Sequence, residues 1–96
     1  MLINAVVYTF PSDRADEAAG MLRELRAASL AEDGCLGFEA MRGEGEQSAT
    51  FALYESWRDQ AALDAHYASE HFRRLGANGV RVLMTERHAV KGAPLG

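Results

Sequence analysis

Only one cysteine, Cys35, occurs in the 96 residues. No intrachain disulfide can form, which suits a reducing compartment. Basic runs are missing too. Lys and Arg total 10 against 14 Asp and Glu, net −4, and Arg73-Arg74 is the sole adjacent cationic pair. Binding nucleic-acid phosphates takes clustered Lys and Arg, so nucleic acid is not an expected partner, and the pair reads as a solvated helix face. No apolar stretch nears the roughly 18 residues needed to cross a bilayer. The opening "MLINAVVYTF" has neither a positive leading region nor a small-residue cleavage pattern. These absences point to a soluble cytoplasmic protein without a membrane partner.

What is present is 48% hydrophobic, enough for a packed core, and one domain in length. We expect that domain over residues 1–90, with 91–96 a short frayed tail. Small domains bury a limited fraction of their surface, so an oligomer is expected.

Leu2–Phe10 reads as a strand ended by Pro11 and buried on both faces apart from Asn4 and Thr9. A helix follows, with Ser12 or Asp13 as its cap. Its stripe is Ala15, Ala18, Leu22, Leu25 and Ala28, and Gly20 allows close approach to a sheet. Gly34 suits a left-handed helix end. "CLGFEAMR" and "ATFALYESW" form a hairpin around "GEGEQS". Alternation puts Phe51, Leu53, Glu55 and Trp57 on one face of the third strand, and Thr50, Ala52, Tyr54 and Ser56 on the other. Asp59 caps a second helix that breaks near Ala68 and restarts at Ser69. "GANG" ends it, and "VRVLMTERHAV" is a fourth strand. The order β-α-β-β-α-β predicts an α+β, ferredoxin-like, four-stranded antiparallel sheet with both helices on one face. The other face, also apolar, would meet water. Pairing with a second copy about a twofold axis would cover it, which predicts a homodimer.

Within Tyr54–His71 lie the candidate chemical groups. His66 is a general base or substrate partner on one reading, and a histidine packed under the helix and bonded to a carbonyl on the other. His71, in the first turn after Ser69, sits where the helix dipole favours the neutral ring a base requires on one reading, and is a pocket-rim or capping histidine on the other. Five residues apart, the two diverge by about 140° on a continuous helix, so only a break lets them share a cavity. They are not an i, i+4 metal pair, and no metal is assigned. Glu55 anchors a histidine, acts as an acid or base, or is a structural carboxylate, and burial beside aromatics would raise its pKa. Trp57 reads as pocket wall. Asn4 and Tyr8 share a face of the first strand and could offer polar atoms. Tyr54 faces the dimer barrel, Cys35 is a small buried hydrophobe, and His88 is a surface or interface residue.

Tyr54-Glu55-Ser56-Trp57, Ala62-Leu63, His66 and Ser69-Glu70-His71-Phe72, with Glu32-Asp33-Gly34-Cys35 after the first helix, resemble the pattern of the antibiotic biosynthesis monooxygenase family. The resemblance spans nearly the whole chain. It implies a dimeric α+β barrel and oxygenation of an anthrone- or quinol-like aromatic by O2, without flavin, haem or metal. His66, His71 and Glu55 would be the catalytic groups, with Trp57, Phe51, Leu53, Tyr67, Phe72 and Asn4 contacting substrate. Relatives of similar shape isomerise small polar substrates or degrade haem. Haem-degrading relatives place their ligand histidine four residues after the phenylalanine matching Phe72, where this chain has Gly76. A non-catalytic dimer that binds a hydrophobic small molecule is the remaining alternative.

Overall fold

A computed structural model describes residues 1–96. Strands β1 (Leu2–Thr9), β2 (Cys35–Arg42), β3 (Thr50–Trp57) and β4 (Glu86–Gly92) form one sheet in the order β2-β3-β1-β4, with every neighbouring pair antiparallel. Helices α1 (Ala15–Leu30) and α2 (Gln60–Tyr67), a π-helix (Phe72–Val80) and a last helical turn, α3 (Arg81–Leu83), complete the chain. The expected ferredoxin-like α+β order is present. No helix is long and apolar enough to cross a membrane.

Strand alternation divides the sheet. Asn4, Val6 and Tyr8 of β1 and Phe51, Leu53, Glu55 and Trp57 of β3 are buried beneath the helices, among them Leu22, Leu25, Leu63 and Val80. On the opposite face Val7, Met41, Tyr54 and Val90 stand exposed, Val90 at 73%. Strand β1 is therefore buried on one face only, and Asn4, expected as an exception to burial, is 4% exposed. A period of two cannot tell a strand buried on both faces from one awaiting a partner.

Several local expectations change. Neither Ser12 nor Asp13 caps α1: residues 12–14 make a 3-10 turn after Pro11, with no side-chain cap bond. Gly20 is exposed, and a side chain there would meet nothing. Gly34 is not left-handed; the one positive-φ glycine is Gly45, at φ 59 in the β2–β3 turn. A Cβ on Gly34 would stand 2.3 Å from Ala62 Cβ, so its value is close approach of the loop to α2.

The fourth strand begins at Glu86 rather than Val80. Gly76 and Gly79 do not end the helix. They permit the wide π turn, since a Cβ at 76 would meet the Phe72 ring at 2.6 Å and one at 79 the Arg74 carbonyl at 2.9 Å. Val80 is fully buried within this helix. At its far end β4 pairs Lys91 with Asn4 and Gly92 with Ile3, so the sheet runs two residues past position 90.

Candidate functional site

Asp59 starts α2 by accepting the Ala62 N–H at 2.9 Å, which fixes the face carrying Ala62, Leu63 and His66 toward the sheet. His66 is 1% exposed. Its ring lies 4.6 Å from Trp57, 5.2 Å from Phe72 and 5.6 Å from Tyr67, centroid to centroid.

The helix breaks where expected. Ser69 Oγ donates to the His66 carbonyl at 2.6 Å and accepts the Phe72 N–H at 3.1 Å, which closes one helix and opens the next. The reset brings the His71 ring to 5.9 Å from that of His66. Between them sits a residue whose side chain the sequence reading did not use. Glu32 Oε2 lies 2.6 Å from His66 Nδ1 and 2.9 Å from His71 Nε2. It belongs to the loop after α1, which the Arg58 N–H to Gly34 carbonyl bond (2.9 Å) and the tight Gly34–Ala62 approach hold against α2. Neither a backbone carbonyl nor Glu55 anchors His66.

A carboxylate can only accept, so His66 Nδ1 and His71 Nε2 carry the hydrogens of these bonds. In the neutral rings His66 Nε2 and His71 Nδ1 then keep lone pairs available to a proton. Glu32, His66 and His71 also form a group whose donor atoms lie within 4.8 Å of one another, a constellation the spacing of the histidines did not suggest.

A second polar group lies deeper. Glu55, 4% exposed, accepts from Trp57 Nε1 at 3.1 Å and Asn4 Nδ2 at 3.4 Å. Asn4 Nδ2 also donates to the Tyr67 hydroxyl at 3.4 Å. Burial pushes the Glu55 carboxyl above its ordinary range, as expected; the Trp57 N–H, the charge of His66 and the Asn4 amide oppose the shift. Burial also raises the Tyr67 hydroxyl, helped by the nearby Glu55 charge.

Two arginines escaped the sequence reading. Arg81 Nε donates to the Tyr8 hydroxyl at 3.4 Å while its guanidinium covers the Phe72 ring at 5.1 Å, and Arg87 stands over the Tyr8 ring at 5.8 Å. Arg87 lay within the expected fourth strand, but only the register of the ladder, which pairs it with Tyr8, puts it on Tyr8's face.

Asn4, Glu55, Trp57, His66, Tyr67, His71 and Phe72 thus come together. Phe51 does not join them: it is six residues up the strand from Trp57, roughly 20 Å at about 3.3 Å per residue, whereas Leu53 is two residues from Glu55 on the same buried face. Phe51 lines a cleft of about 100 Å3 with Leu22 and Arg42, and Leu53 one of about 360 Å3 with Met41 and Tyr54. A third cleft, about 310 Å3, opens beside Glu32, Gly34, Arg58 and Ala62. Cys35 is part-buried, its thiol raised by desolvation. His88 is exposed and pairs with Glu86 at 3.0 Å. Arg74 pairs with Glu24 and Glu70 at the surface.

A four-stranded antiparallel sheet in this order with helices on one face defines an α+β protein of the ferredoxin-like class. The family model described as antibiotic biosynthesis monooxygenase matches residues 1–78, and the chain belongs to that family. Among curated relatives, "Putative monooxygenase YcnE" of Bacillus subtilis strain 168 is 28% identical over 91 residues, 95% of this chain and 94% of that protein. Among solved structures, PA3566 of Pseudomonas aeruginosa is 32% identical with a TM-score of 0.89, covering 99% of this chain and 94% of that one. A structure described as an antibiotic biosynthesis monooxygenase is 26% identical with a TM-score of 0.90, over the full length of both chains.

Proposed function

We propose that the protein is a soluble cytoplasmic homodimer that oxygenates a quinol- or anthrone-like aromatic with O2, using no flavin or haem. The observation that carries this reading is the Glu32 carboxylate bonded to two imidazoles beside Trp57, within the architecture of the family. His66 and His71 are the catalytic bases, and Glu32 holds the lone pairs of His66 Nε2 and His71 Nδ1 free. A base removes a proton from the phenol or the activated C–H, leaving an electron-rich anion. The anion gives one electron to O2, and the resulting radical pair combines to a peroxide anion, which takes the proton back from the histidine to become a hydroperoxide. Loss of water then leaves one oxygen atom on the ring as a carbonyl. Trp57, Tyr67 and Phe72 provide the dry aromatic wall that keeps the radical pair together, and Asn4 and Glu55 bind substrate hydroxyls. Phe51 acts through the packing of β3, because it lies far up the strand from Trp57, and Leu53 packs beside Glu55.

Oxygen uptake on a panel of anthrones and naphthohydroquinones tests the reaction. Turnover above the buffer control that is lost in His66→Ala and His71→Ala is the expected result. No turnover across the panel would sink it. One observation favours a second reading, a non-catalytic binder: none of the three clefts is lined by His66 or Trp57. Ligand binding without turnover in the parent chain would support that alternative.

The homodimer rests on the open sheet face, where Val7, Met41, Tyr54 and Val90 are exposed together. Light scattering should give twice the chain mass, falling to one chain in Tyr54→Asp. A monomeric parent would remove the dimer from the proposal.

A further inference from the structure

We propose that Glu32, His66 and His71 also bind a divalent first-row transition ion, held by Glu32 Oε2, His66 Nδ1 and His71 Nε2. The three donors come from separate segments: the loop after α1, the last turn of α2, and the first turn after the Ser69 break. Their atoms already lie within 4.8 Å of one another. Two imidazoles and one carboxylate suit zinc, cobalt, nickel or ferrous iron. Magnesium and calcium favour all-oxygen shells. Three protein ligands leave coordination positions for water, as in open zinc sites.

An ion with bonds of about 2.0–2.1 Å in tetrahedral geometry spaces its donors about 3.4 Å apart. The present contacts of 2.6 and 2.9 Å would therefore open by roughly half to one ångström as the ion enters. The right parts can move. The Glu32 and His71 side chains are 16% and 20% exposed, whereas His66 is clamped by the Asp59-capped helix and its ring neighbours. The cleft beside Glu32 and Gly34 gives an ion its route in from solvent.

Coordination through His66 Nδ1 and His71 Nε2 puts the ring hydrogens on His66 Nε2 and His71 Nδ1, the nitrogens that serve as base in the metal-free state. Metal loading and proton abstraction use opposite tautomers, so they exclude each other. This regulatory part rests on the oxygenase reading; the site itself does not.

The test titrates tag-free, chelator-treated protein with Co2+ and then Zn2+, by calorimetry and visible absorption, without substrate. We expect one ion per chain, ligand-field bands of four- or five-coordinate cobalt, and their loss as zinc displaces it. Glu32→Gln and His71→Ala, checked for folding by circular dichroism, should each weaken binding by on the order of 100-fold or more, beyond what losing an outer-shell partner costs. No stoichiometric binding by the parent, or unchanged affinity in both folded variants, would overturn the site. If ions bind but no panel substrate turns over, the oxygenase reading fails and the metal site stands.

Discussion

Glu32 and Glu55 flank the same histidine and lead different lives. Glu32 reaches in from a surface loop and joins two imidazoles with one oxygen. Glu55 projects from β3 into the core and is held by an indole N–H and an amide. The first keeps some contact with water. The second is buried, which pushes its carboxyl above the ordinary carboxylate range. Environment gives one residue type two roles, an acceptor shared by two imidazoles at the rim and a buried carboxyl with a raised pKa at the base. His66 and Trp57 are the partition between them.

Removing the partition should have the largest effect. Trp57 is fully buried, and Trp57→Ala should cost about 3–5 kcal/mol in chemical denaturation while leaving Glu55 without its nearest donor. Lifting the Glu32 loop comes next. Gly34→Ala puts a methyl against Ala62, so we expect a loss of about 1–3 kcal/mol and a changed His66 ring signal in NMR spectra as Glu32 withdraws. An undisturbed ring signal would show that Gly34 does not set the approach of Glu32. Glu32→Gln retains an acceptor but loses the charge, and should cost about 1–2 kcal/mol at neutral pH.

Glu55→Gln should have the smallest effect at neutral pH, and the opposite sign. Its folded-state pKa is raised by burial, so the folded chain holds this proton more tightly than the unfolded chain does. That contribution is fully present below the usual carboxylate range and is lost as pH rises through the raised value. Gln keeps an oxygen for the Trp57 N–H and has no ionisation to lose. Thermal melts across this range should therefore show the variant gaining on the parent as pH rises toward 7. A constant difference between the two would mean that Glu55 titrates alike in both states.

The Glu55 side was legible in the sequence because strand alternation is a local rule. Phe51, Leu53, Glu55 and Trp57 had to share a face, and an apolar face has to be buried. The break at Ser69 was legible for a similar reason, since a hydroxyl beside a helix end satisfies free backbone groups wherever it occurs. Phe51 sits far from Trp57 although the two share a face, because a shared face says nothing about distance along the strand. The start of β4 was missed because Gly76 and Gly79 look like punctuation. They serve instead to let Phe72 and Arg74 crowd a π turn, and a glycine carries no side chain to announce which use it has.

Periodicities of two and 3.6, turn chemistry and side-chain caps established the element order, the buried stripe of α1 except at its end, where Ser29 is buried in place of Ala28, and the expected β-α-β-β-α-β architecture. They act over a few residues, so nearby sequence encodes them. The meeting of Glu32 with His66, across 34 positions, depends on how closely a loop can lie on a helix. Contact at 2.6 Å is a matter of packing between distant segments, and no local pattern carries it.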